Sequence, residues 1–198
     1  MAKIPENYLE RVYAGWLGKI VGIRLGAAIE GWTYEKIQRV FGEIWDYPAS
    51  YKNFAADDDS NGPLCLIRAL EECEDLAQFS AQDVGNALLN YAPFEHGFFW
   101  WGGYGVSTEH TAYLNLRAGI PAPRSGSIQQ NGATMAEQIG GQIFIDPWGL
   151  VSPGNPAQAA SLAKKAASVT HDGNGVWGGV FVACAISLAF VEPDLEAV

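Results

Sequence analysis

The chain has 198 residues, 48% of them hydrophobic and only 17% charged, with a net charge of −10 at neutral pH. The apolar fraction excludes intrinsic disorder, and a chain of this length buries a full core without disulfide staples. The acid excess disfavours nucleic-acid backbones and anionic membranes as partners and suits a cation instead. With so few charges the chain has little polar surface, so some apolar surface is expected to meet another segment or another chain.

Tyr8 to Ile29 reads as one long helix, with Gly15, Gly18, Gly22 and Gly26 on one face at spacings of three and four. Each glycine costs about 1 kcal/mol of helix propensity relative to Ala, so a backbone or ligand is expected to pack closely there. The next helix is expected to open at Asn61-Gly62-Pro63 and run to about Cys73, with Pro63 at the first helical position and Ser60 or Asn61 as cap. Ser80-Ala81-Gln82-Asp83 has the capping-box pattern and starts a helix to about Tyr91. Phe94 to Tyr104 is an aromatic, glycine-rich loop; Phe98-Phe99-Trp100-Trp101 within it reads as core, with part available to wall a pocket. Thr108 to Ala118 is a helix stopped by Gly119 and Pro121, a loop follows to Asn131, and Ala133 to Phe144 is apolar at helical spacing. Asn155-Pro156 opens a helix to about Val169, and a last helix covers about Val176 to Val191. No strand–turn–strand pattern occurs, so the fold class is all-α: a compact multi-helix domain spanning residues 1–198.

Cys65, Cys73 and Cys184 are odd in number and include no Cys-x-x-Cys, so they read as buried thiols in a reducing, cytoplasmic setting. The first residues lack the apolar run of a secretory leader. Gly175 to Val191 is uncharged, yet no Lys or Arg flanks it and acids follow it, so it reads as a buried helix rather than a membrane span.

Three adjacent carboxylates, Asp57, Asp58 and Asp59, stand at a helix start. One or two acids complement a helix dipole; three exceed that need, and a hard cation with oxygen ligands would relieve their repulsion. A solvated acidic turn with one capping Asp is the other reading. The stretch imitates the opening of an EF-hand, but the twelfth loop position is Arg68 rather than Glu, which rejects that motif. Gly173-Asn174-Gly175-Val176-Trp177-Gly178 matches the dinucleotide glycine pattern, but a helix rather than a strand is expected before it. Its backbone N–H groups remain available to a phosphate or hydroxyl. His171, between Thr170 and Asp172 at that helix–loop junction, is placed for ligand contact.

These segments together resemble the ADP-ribosylglycohydrolase family, which includes the dinitrogenase-reductase-activating glycohydrolases. Arg11-Val12-Tyr13-Ala14-Gly15-Trp16-Leu17-Gly18 through Glu30 and Gly31 is similar to the family's first helix. Asp57-Asp58-Asp59-Ser60 is similar to its metal motif, and Asn131-Gly132-Ala133-Thr134-Met135 through Leu150, then Ala159 to Asp172, to its ligand-loop and Thr-His region. The resemblance implies an all-α fold, a two-ion magnesium centre with Mn²⁺ as the alternative, and hydrolysis of an N- or O-glycosidic bond to ADP-ribose or a related riboside. It implies that Asp57, Asp58 and Asp59 hold metal, that Glu30 positions or deprotonates water, and that Asp58 and Asp59 join it in catalysis. It implies ribose and diphosphate contacts from Asn131, Gly132 and Met135, and substrate contacts from His171 and Asp172. Departures are Gly22-Ile23 where the family often has Gly-Asp, Ala136 where Arg usually follows the loop Met, and no late Asp-rich motif after Asp172. The chain is therefore expected to be the N-terminal portion of a longer protein, completed by a further segment or by a second copy. Two functions remain: a magnesium-dependent glycohydrolase, and a non-catalytic ligand-binding or assembly module derived from that fold.

Overall fold

A computed structural model describes residues 4–50, 57–96, 99–194 and 198. Among these residues there is no strand, and the fold class is all-α as expected. Phe98, Leu195 and Glu196 lie outside the described residues. The chain divides into two compact units, residues 7–56 and residues 57–198 with 1–6.

The smaller unit holds α1 (Tyr8–Gly26) and α2 (Tyr34–Val40). Neither helix has a buried residue. On the glycine face of α1, a Cβ added at Gly18, Gly22 or Gly26 meets no atom of the described residues within 4 Å. The helix stops at Gly26 rather than Ile29, and Gly31, at φ +72°, closes the turn that carries Glu30. Leu9, Tyr13, Leu17 and Val21 are exposed along α1, which is where part of the apolar excess lies. Thr33 caps α2, its hydroxyl oxygen accepting from Lys36 N at 3.3 Å.

In the larger unit the elements run α3 (Asp58–Ile67), a 3₁₀ turn at Arg68–Leu70, α4 (Ala81–Tyr91) and α5 (Thr108–Arg117). A second 3₁₀ turn at Arg124–Gly126 is followed by α6 (Ile128–Asn131), α7 (Ala133–Ala136), α8 (Gly140–Ile143) and α9 (Asp146–Leu150). Two longer helices finish it, α10 (Pro156–Ala167) and α11 (Gly173–Leu188). The capping box at Ser80 and the Asn155-Pro156 start are where the sequence puts them.

Several boundaries differ from expectation: the loop expected to run to Asn131 holds a 3₁₀ turn and α6, and α11 ends at Leu188 rather than Val191. Helix α3 begins at Asp58, five residues before Pro63, because Asp57 is its cap and Pro63 lies inside it. The expected helix over Ala133–Phe144 is broken: Ala136 O accepts from Asp172 N (3.0 Å), a tertiary bond in place of the next helical one. Helix α11 starts at Gly173 rather than Val176, since the Asp172 carboxylate accepts from Gly173 N at 2.7 Å. No helix among the described residues is long and apolar enough to cross a membrane.

The core of this unit gathers α3, α4, α9, α10 and α11 around Trp148. The glycine pattern of α11 is used for packing. A Cβ at Gly179 would collide with Gly141 O, one at Gly141 with Gly175 O, and one at Gly175 would stand 2.9 Å from Ala136 O. Backbone therefore meets backbone where α7 and α8 cross α11. Gly179→Ala is expected to cost roughly 1–3 kcal/mol in urea unfolding, because no side chain can give way; an unchanged midpoint would refute the close approach. Cys65 is buried, its thiol pushed up to about 12 by burial, whereas Cys73 and Cys184 are only half-buried.

Candidate functional site

Helix α5 is buried on nearly every side although its sequence, Thr-Glu-His-Thr-Ala-Tyr-Leu-Asn-Leu-Arg, is polar. Such a helix survives only if its polar groups are paired. The Ser107 side chain caps it, and the Thr111 hydroxyl donates to Ser107 O (2.7 Å) and accepts from Gly105 N (2.9 Å). The Thr108 hydroxyl is 2.7 Å from Gln138 Oε1, and His110 Nδ1 accepts from Gly103 N at 3.0 Å. One group departs from this pattern. Glu109 is a carboxyl only 7% exposed, and the hydroxyl of Ser107 donates to its Oε2 at 3.2 Å. Burial pushes its pKa up to about 7, and the negative charge of Asp58 adds to the rise.

The absent side chain of Gly140 brings a second buried group to Glu109. A Cβ at that position would lie 2.5 Å from Glu109 Oε1 and 2.9 Å from both Cε1 and Nε2 of His171. Carboxyl and imidazole thus share the space that only glycine leaves. His171 is fully buried; its Nδ1 is 2.7 Å from the Thr170 hydroxyl, and among the described residues its Nε2 has no hydrogen-bond partner. Burial pushes its pKa down to about 3. Gly126 lies flush against this junction, where a Cβ would be 2.6 Å from His171 N.

The two shifts act oppositely on stability. Glu109, raised in the folded state, contributes stability below its unfolded value of 4.5 that is lost as pH rises through about 7. His171, lowered in the folded state, contributes stability above 6.5 that is lost as pH falls toward about 3.

Asp57, Asp58 and Asp59 are half-buried at the N-terminus of α3. Asp57 N donates to the Ser60 hydroxyl oxygen (3.2 Å), whose proton goes to Asp57 O (3.0 Å). Asp57 Oδ1 is buried and, among the described residues, has no hydrogen-bond partner. An orphaned, buried carboxylate oxygen beside two more carboxylates has the chemistry of a hard-cation ligand. Among the described residues no three His, Cys, Asp or Glu side chains converge on one point.

The other expected site residues fall elsewhere. Glu30 is exposed in the smaller unit. The Asn131 side chain is spent internally, accepting from Asn115 Nδ2 and donating to Ser125 O, each at 2.8 Å. Gly132, at φ +82°, joins α6 to α7. Met135 is buried, its carbonyl accepting from the Thr108 hydroxyl at 3.2 Å. Both Asp172 oxygens are engaged, by Ile128 N (3.0 Å) and Gly173 N (2.7 Å), and Glu137 takes Asn174 N at 2.7 Å. The first amides of α11 are therefore satisfied by two carboxylates of this chain and are not open to a phosphate. Phe99 and Trp101 pack in the aromatic core, while Trp100 is exposed. Glu109 and Gly140 were not among the expected residues: an acid in the first turn after a Ser cap is ordinary, and its burial comes only from the surrounding fold.

Fold and site define an all-helical protein with a carboxylate-rich, buried ionisable centre between α3, α5, α8 and the start of α11. The chain belongs to the ADP-ribosylglycohydrolase family, whose model matches residues 4–198. It is 25% identical over 175 residues to an uncharacterized protein of Archaeoglobus fulgidus, covering 87% of this chain and 53% of that relative. The chain thus spans about half the length of the relative it matches. No solved structure matches.

Proposed function

We propose that the protein of which this chain is part hydrolyses an N- or O-glycosidic bond to ADP-ribose or a related riboside. The observation that carries this reading is Glu109, a buried carboxyl poised near neutral pH beside Asp58 and His171. A group with such a pKa can both give and take a proton at physiological pH, as glycosidic cleavage requires. Ser107 occupies Oε2, which leaves Oε1 as the oxygen to carry the proton. Family membership supports the glycosidic bond and the dependence on metal.

Asp57, Asp58 and Asp59 are the residues that would hold magnesium, or manganese in its place. The bound ion supplies charge for the attacked centre and for a nearby water. Asp58 and Asp59 thereby serve the reaction, and Glu30 assists the water. Asn131, Gly132 and Met135 shape the ligand loop from within. His171 stays neutral and, with Asp172, fixes the loop end that meets the substrate. The protein works in the cytoplasm on a riboside or ADP-ribosyl substrate, alone or completed by a further segment or second copy.

The test is release of free sugar from an ADP-ribosylated protein and from simple ribosides, with Mg²⁺ and with chelator. Turnover should require the metal, and Asp58→Asn should lower it by about 100-fold or more. A folded protein that releases no sugar from any of them, or does so equally in chelator, sinks the reading. A second reading, a binding or assembly module without chemistry, is favoured by the lack of a converging three-ligand group among the described residues. Ligand binding without turnover would distinguish it.

A further inference from the structure

A cavity of about 540 Å³ opens among the Arg124–Gly126 turn, α10 and the start of α11. Its cationic lining residues are Arg124, Lys164 and Lys165. In a chain of net charge −10, three cations around one hollow concentrate positive charge against the overall balance. Two of them sit in the last turn of α10, where the helix dipole alone would favour cations. Arg124 comes from a different segment, so the dipole does not account for the convergence.

The acidic lining group, Asp172, offsets one of the three positive charges and leaves a cationic excess, and its two oxygens accept backbone N–H bonds from Ile128 and Gly173. Among the described residues, none of the three cations forms an ion pair with a carboxylate. Lys164 Nζ lies 5.4 Å from the Trp177 ring and Lys165 Nζ 5.8 Å from the Phe79 ring. Those contacts hold the ammonium groups in place without using their N–H donors. Ala81, Pro123 and Val176 give the hollow an apolar wall.

We propose that this cavity binds an organic phosphate, with Arg124, Lys164 and Lys165 on the phosphate oxygens and the apolar wall against the carbon skeleton. His171 forms part of the wall, so an occupied cavity adjoins the site described above. Binding here needs neither metal nor turnover, and it stands or falls apart from the glycohydrolase reading.

The test is calorimetric titration of the full chain in chelator with phenyl phosphate, inorganic phosphate and phenol. Chelator removes any phosphate binding through a metal at Asp57–Asp59. Phenyl phosphate should bind saturably, inorganic phosphate more weakly and phenol not at all. Arg124→Gln and the double variant Lys164→Gln/Lys165→Gln should each weaken phenyl phosphate by about tenfold or more. The control Arg117→Gln should change nothing. Among the described residues the three side chains make no hydrogen bond, and the lysine variants lose only the contacts to Trp177 and Phe79 and the favourable helix-end charge, so the variants should stay folded, as circular dichroism will show. No saturable binding to the folded chain, or binding unchanged in both variants, overturns the assignment. Inorganic phosphate binding as tightly as phenyl phosphate overturns its organic half.

Discussion

Glu109→Gln is expected to stabilise the folded chain at alkaline pH while lowering turnover. The carboxyl is 7% exposed and its folded-state pKa of about 7 stands against an ordinary value of 4.5. Below pH 4.5 it is neutral in both states, and the stability it contributes there is fully present. As pH rises through about 7, folding must hold a charged carboxylate in a buried place beside Asp58, and stability falls. By pH 8 the cost amounts to about 3 kcal/mol. The amide keeps the shape, and its oxygen still accepts from Ser107, but it does not titrate. In urea unfolding with chelator, the variant-minus-wild-type difference should therefore grow from near zero at pH 4 to about 3 kcal/mol at pH 8. His171 titrates alike in both proteins and cancels. A difference that stays flat with pH would mean that Glu109 is not charged at a cost in the folded state.

Trp148→Ala is expected to be the most damaging core substitution, at about 3–5 kcal/mol. Trp148 is the largest fully buried side chain, stacked at a tilt on Phe79 with ring centroids 5.7 Å apart. Against a typical total stability of about 5–15 kcal/mol, that loss leaves a marginal fold. Its indole Nε1 is buried without a hydrogen-bond partner among the described residues. Trp148→Phe should consequently cost much less than Ala, since it removes an unpaired donor along with part of the volume. Denaturant midpoints of the two variants check this, and an Ala variant within about 0.5 kcal/mol of wild type would contradict a core centred on Trp148.

Helix starts with a local signature were legible in the sequence. Ser80 with Asp83, and Asn155 with Pro156, each satisfy the first amides of a helix through neighbours in the chain. Boundaries set by distant partners were not. The break after Ala136 depends on Asp172 N, and Glu137 turns outward to cap Asn174. The same limit governs the site. Asp57–Asp59 stand out as a run of like charges, whereas Glu109 is ordinary in sequence and distinctive only once α5 is buried against Gly140 and His171. Gly173-Asn174-Gly175-Val176-Trp177-Gly178 shows the reverse error that a motif invites: its glycines make room for Ala136, His171 and Gln142, not for a nucleotide. Trp148, read within the ligand-loop region, proves to be core.

The most direct test of the central claim, that the start of α3 is part of a cation-assisted glycosidic site, is titration of Mg²⁺ into the metal-free chain by calorimetry, with and without ADP-ribose. The wild type should bind saturably, and Asp58→Asn/Asp59→Asn, folded by circular dichroism, should not. A folded wild-type chain that takes up no Mg²⁺ under either condition, or a double variant that binds it equally well, would contradict the account.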